Sequence, residues 1–84
     1  MKSKASREFW RLFHGLPLKI QRLAYKNYLL WQHDPRHPSL HFRPIKSRQW
    51  SVRVGDHYRA IGRFVETDTF LWTWIGTHED YNKL

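Results

Sequence analysis

The sequence predicts an α+β protein: an N-terminal αα-hairpin packed on one face of a small antiparallel sheet of three to four strands, closed by a short C-terminal helical turn. Three observations predict it. Apolar residues recur at helical spacing as far as His33, the period changes to two from Leu40 onward, and no strand–helix–strand alternation intervenes. At 84 residues the chain is a single domain, 1–84, near the size at which one core only just supports a fold.

Phe9, Leu12, Phe13 and Leu16 fall at i, i+3, i+4 and i+7. Ser6 is placed to cap this first helix, and Glu8 lies in its first turn, where a negative charge suits the helix dipole. Gly15 lies near its end. Pro17 suits the first turn of a second helix, where its missing N–H has no intrahelical partner anyway. That helix runs to about His33, with Ile20, Leu23, Ala24, Leu30 and Trp31 on its buried stripe and Lys19, Arg22 and Lys26 outside it. Asp34-Pro35-Arg36-His37-Pro38 ends the helical half, because each proline disfavours the α region for the residue before it.

Leu40 and Phe42 then alternate with His41 and Arg43 as a strand, and Pro44 marks an edge position or the strand's end, since it donates nothing to a ladder. Lys46-Ser47-Arg48-Gln49 reads as a polar turn. Trp50, Val52 and Val54 share one face of the following strand, with Ser51 and Arg53 on the other. Gly55-Asp56 turns into the strand from Tyr58 to Val65, and Glu66-Thr67-Asp68 turns into the strand from Phe70 to Ile75. Connections this short make an antiparallel meander. Thr77 caps a last helical turn through Tyr81, with Glu79 and Asp80 in its first turn. The hairpin is expected on one sheet face, leaving the other for a partner.

Aromatic residues make up 17% of the chain, five of them tryptophan, so a few buried rings supply much of the core. Fifteen Lys and Arg stand against seven acidic residues, a formal charge of +8, which favours an anionic partner. Without cysteine there is neither a disulfide framework nor a thiolate zinc site, and a cytoplasmic protein fits best. No apolar run approaches the about 18 residues of a membrane span, and no signal-type stretch follows Met1-Lys2-Ser3-Lys4.

The residues that can carry chemistry lie in the strand half. Arg53 and Arg59 stand on adjacent strands across the Gly55-Asp56 turn, where both can face one anion; guanidinium forks bind phosphate bidentately and stabilise the charge of a phosphorane. His78 follows Gly76-Thr77 at the end of the last strand, and an imidazole there can remove a proton from a 2′-hydroxyl or give one to a leaving 5′-oxygen. Tyr58 and Tyr81 can stack on bases, and Lys46, Arg48 and Arg63 suit backbone phosphates or simply a solvated surface. Trp50 is better read as core. His33, His37 and His41 recur every fourth residue, but Pro35 and Pro38 interrupt the stretch and no carboxylate completes a set, so no metal site is assigned. No glycine-rich phosphate loop, nucleophile elbow or paired-carboxylate motif is present.

These segments resemble the RelE/ParE superfamily of bacterial type II toxins, including its HigB-like branch. The resemblance covers nearly the whole chain: the Leu16-Pro17 junction, the Asp34-Pro35 helix end, His37-Pro38-Ser39-Leu40, Trp50-Ser51-Val52-Arg53-Val54 with Tyr58-Arg59-Ala60-Ile61, and the closing Trp74-Ile75-Gly76-Thr77-His78-Glu79-Asp80-Tyr81. The last two are the specific ones. Membership implies a toxin neutralised by a cognate antitoxin protein, acting on the ribosome and its mRNA as a metal-independent endoribonuclease, with no cofactor and no membrane partner. It implies phosphate binding by Arg59 and Arg53, proton transfer by His78 and an aromatic role for Tyr81. A non-enzymatic module of the same fold, such as a ParE-like gyrase inhibitor or an inactive homologue, is the alternative. A general single-strand RNA binder is a third, and it predicts tight, strongly salt-dependent binding to free RNA. Two departures stand out. The polar Lys2-Ser3-Lys4-Ala5-Ser6 does not match the family's apolar first strand and leaves open whether a strand precedes the helices, and His57 lengthens the turn before Tyr58-Arg59 by one residue, leaving the register of Arg53 open.

Overall fold

The computed structural model describes residues Met1 to Leu84. Its elements are β1 (Lys2–Ala5), α1 (Arg7–His14), α2 (Leu18–His33), a 3₁₀ turn (Pro38–Leu40), β2 (Arg43–Pro44), β3 (Trp50–Val54), β4 (Tyr58–Glu66), β5 (Thr69–Thr77) and α3 (His78–Asn82). The fold class is α+β, as expected. The sheet has five strands in the order β1-β5-β4-β3-β2, and it is mixed: β1 runs parallel to β5, while the other pairs are antiparallel.

A strand does therefore precede the helices. Its polar sequence hides it because only one side of each residue pair meets the core: Ser3 and Ala5 are half-buried while Lys2 and Lys4 stand in solvent. Ser3 Oγ bonds the Tyr28 hydroxyl at 2.6 Å, and Gln32 reaches both, so a polar network seats the strand against α2. Ser6 then caps α1, its Oγ accepting from the Phe9 N–H at 3.1 Å. Pro17 stands as the N-cap of α2 rather than within its first turn, and α2 ends with the Asp34 N–H on the Leu30 carbonyl.

The expected strand through Leu40 and Phe42 is corrected. Pro38, Ser39 and Leu40 form the 3₁₀ turn, His37 caps it through Nδ1, and pairing begins only at Arg43. Proline at the start favours this tight turn over an extended ladder. Leu40 is fully buried, so the apolar signal was sound while the period was not. Pro44 lies on the sheet edge, and Ser47 and Arg48 both take positive φ in the turn that follows.

The core is the face on which the helices lie. Phe9 and Trp31 from the helices meet Val52, Val54, Ala60, Phe70, Trp72 and Ile75 from the sheet, with Leu40 beneath the turn. Trp31 packs against Phe70 and Trp72 with ring centroids 5.3 and 5.0 Å apart. The register shifts between Ile61 and Gly62, which pair with Trp74 and Trp72, so Thr73 bulges from β5 and bonds the Ile61 carbonyl through Oγ1. The bulge turns Trp74 onto the second face while Trp72 stays in the core. Phe70 and Trp72 thus share the core face, and Trp74 does not.

Candidate phosphate-binding face

The second face of the sheet carries the arginines. In the β3–β4 register Val52 pairs with Ala60 in the core, so the next pair, Arg53 with Arg59, points the other way, and Gly76 of β5 completes that row. The neighbouring row reads Arg43, Ser51, Ile61 and Trp74. Gly55 with φ 64° lets the three-residue turn Gly55-Asp56-His57 close without moving Arg53 off this face, which settles the register left open by the extra residue.

Directly opposed like charges destabilise a sheet, and strand neighbours lie only about 5 Å apart. Part of the repulsion is offset here. Arg53 is tied down: Nε donates to the Gly55 carbonyl at 3.2 Å and Nη2 to Asp56 Oδ1 at 3.0 Å, an ion pair that neutralises part of its charge. Arg59 is tied by one bond, Nη1 to the Tyr58 carbonyl at 3.0 Å, and its other donors are without protein partners. Burial, the Arg53 charge and the Arg43 charge push its guanidinium below the usual arginine range, with Tyr81 pulling the other way. It remains a cation at neutral pH, held in the field of two others. That arrangement attracts an anion.

The end of the row is closed by α3. Thr77 caps it, Oγ1 accepting from the Asp80 N–H at 3.1 Å, and the His78 N–H donates to the His57 carbonyl at 2.7 Å. His78 is exposed, and its ring stacks on Tyr81 with centroids 5.9 Å apart and planes 20° from parallel. The element is one turn long, so its cap is a large share of what holds it. Thr77→Ala is expected to cost about 1 kcal/mol of local stability. Hydrogen exchange of the Asp80 and Tyr81 amides should rise while β4 amides keep their protection.

Not every residue singled out from sequence joins this arrangement. Arg53, Arg59, Tyr81 and His78 lie around one end of the face. Tyr58 does not: its neighbour Arg59 faces outward, so Tyr58 packs on the helix side against the core, where it cannot stack on a base bound at the arginines. Arg63 shares the second face but lies four residues along β4 from Arg59, about 13 Å away. Lys46 and Arg48 are exposed in the β2–β3 turn, and Lys46 Nζ donates to the Leu84 carbonyl at 3.2 Å, which draws the C-terminal segment across the sheet. Arg43 is the cation that sequence reading passed over. Its signal was the alternation with half-buried Phe42, which sets it on the same face as Ser51. No three His, Asp or Glu side chains gather closely enough to hold a metal, and no helix is long and apolar enough to cross a membrane.

Residues 18–83 match the ParE-like toxin domain family. Solved structures share the fold at low identity. A YoeB/ParE toxin from Agrobacterium tumefaciens superposes with a TM-score of 0.73 at 14% identity, covering 93% of this chain and 99% of that one. The RelB–RelE antitoxin–toxin complex of Methanococcus jannaschii gives 0.72 at 17%, covering 94% of each. The RelBE2 toxin–antitoxin complex of Mycobacterium tuberculosis gives 0.73 at 17%, covering 92% and 96%. No curated protein matches the sequence itself.

Proposed function

This chain belongs to the ParE-like toxin domain family, and from that premise we propose that it is the toxin of a type II toxin–antitoxin pair and a metal-independent, ribosome-dependent mRNA endonuclease. The observation that carries the reading is the opposed Arg53–Arg59 pair, with Arg43 beside it and the His78–Tyr81 stack at its end. Three cations drawn together at a cost in repulsion make sense around a phosphodiester whose negative charge grows in the transition state.

In this reading Arg59, through its unpaired donors, and Arg53 bind the scissile phosphate, and Arg43 supplies field. The 2′-hydroxyl attacks phosphorus, the P–O2′ bond forms as P–O5′ breaks, and His78 transfers a proton in that step. Tyr81 offers a ring against which a base can stack beside the histidine. Lys46, Arg48 and Arg63 steer RNA from further along the face rather than touching the reacting phosphate. The partner in the resting cell is an antitoxin. The cleft of about 240 Å³ between α1, α2 and the sheet, lined by Phe9, Trp10, Phe13, Tyr25 and Tyr28, suits apolar side chains of an acidic antitoxin. Trp10 and Tyr25 at its rim are 46% and 60% exposed.

A gyrase-inhibiting activity is the second reading, favoured by the family match itself and by the Asp56 pairing that reduces the free charge of Arg53. Induced expression separates the two. Growth arrest with mRNA ends phased to ribosomal codons, and little cutting of naked RNA, is the expected outcome. Arrest with DNA-damage signalling and intact mRNA would transfer the assignment to gyrase.

A further inference from the structure

Arg53 offers three donors to three acceptors, and the third acceptor is an imidazole: Nη1 faces His41 Nε2 at 3.4 Å. A guanidinium accepts nothing, so the contact is a hydrogen bond only in the tautomer that turns the Nε2 lone pair to Arg53. At this distance the contact is long for a hydrogen bond, and it is the easiest of the three to release. The backbone brings the ring there by two devices. The 3₁₀ turn buries Leu40, and His41 then takes a left-handed conformation, φ 47° and ψ 43°, that lifts its exposed side chain away from the core while Phe42 stacks on Trp50. Such backbone is uncommon in a residue with a side chain and collects at functional sites. The Nη1 contact sets the His41 ring beside Arg53, just beyond the end of the β2–β3 ladder. The row then reads His41, Arg53, Arg59 and Gly76 across the sheet, with His78 and Tyr81 beyond its far end.

We propose that His41 is a second catalytic imidazole, whose Nε2 takes the proton from the attacking 2′-hydroxyl while protonated His78 gives its proton to the leaving 5′-oxygen. The proposal rests on the endonuclease reading above. The bond from O2′ to phosphorus forms as the bond to O5′ breaks, and the pair of electrons in that bond leaves with O5′. The proton from O2′ ends on His41, and the proton from His78 ends on O5′. Arg53 Nη1 releases the imidazole by turning to a phosphate oxygen, which frees the lone pair only when substrate is present. Neither arginine can make the transfer, since guanidinium stays protonated.

Two substitutions at this exposed position separate the roles. His41→Gln keeps an acceptor for Arg53 but relays no proton; His41→Ala removes both. On ribosomes programmed with mRNA, both variants are expected to bind within about threefold of the parent and to cleave at least about 100-fold more slowly. Cleavage by His41→Gln at the parental rate would reduce His41 to an anchor for Arg53 and overturn the proposal. The endonuclease reading would stand in that case if His78→Ala and Arg59→Ala were inactive. A parent that cuts no ribosomal mRNA would overturn both.

Discussion

Replacing Arg59 by alanine is expected to slow single-turnover mRNA cleavage on the ribosome by about 100- to 1,000-fold, the range seen when one preorganised transition-state donor is removed. Arg59 is held by a single bond to the Tyr58 carbonyl, which leaves most of its donors free, and it sits at the centre of the row, between Arg53 and Gly76. Its loss also relieves like-charge repulsion from Arg53 and Arg43, so the fold should be no less stable and the melting temperature equal or higher. That pairing of lost activity with kept stability is the signature of a residue placed for function. Arg59→Lys should recover part of the rate, as it restores charge without the bidentate fork. A rate within tenfold of the parent for Arg59→Ala would remove Arg59 from the chemistry.

Trp31→Ala is expected to cost about 3 to 5 kcal/mol, measured by urea unfolding. For 84 residues, typical total stability is roughly 4 to 13 kcal/mol, so the substitution removes a quarter or more of it over most of that range. Trp31 is the sole fully buried residue of α2, 1% exposed, and its ring touches Phe70, Trp72, Phe42 and Tyr28. It therefore ties α2 to the sheet. Its indole N–H is buried without a partner, so Trp31→Phe, which removes that donor along with some volume, should cost clearly less than alanine. A cost below about 1.5 kcal/mol for Trp31→Ala would mean that the helix is held mainly elsewhere.

How much of this could be read in the chain differs by element. The two helices, both side-chain caps at Ser6 and Thr77, and the three-strand meander follow from local signals, because capping and periodicity act within a few residues. The first strand did not show, since its partner is β5 and a polar strand on a sheet edge has little periodicity of its own. The Leu40–Phe42 segment misled because burial of alternate residues is shared by an extended strand and by a tight turn followed by a left-handed residue. The Thr73 bulge shifts every side chain after it by one face, which no period-two reading of Phe70, Trp72 and Trp74 can detect. At the site, Arg53, Arg59, Tyr81 and His78 were legible from their positions relative to turns. Arg43 and His41 were not, because their place depends on the register of β2 against β3. Tyr58 went to the wrong face because it was read beside Arg59 for its chemistry without the alternation between neighbours.

The pairing of β1 with β5 has a consequence in time. Lys2 is bonded alongside Thr69, about 67 positions away, so closing that contact costs on the order of 2.5 kcal/mol of chain entropy beyond what a four-residue turn requires. On a ribosome releasing the chain N-terminus first, residues 2–5 have no strand to join until the last third has emerged, and the meander must form before the first strand can dock. Until then the polar network of Ser3, Tyr28 and Gln32 is open and the arginine row has no α3 across its end. A chain wired this way assembles its arginine row and the α3 end of it only after β5 and α3 have left the ribosome.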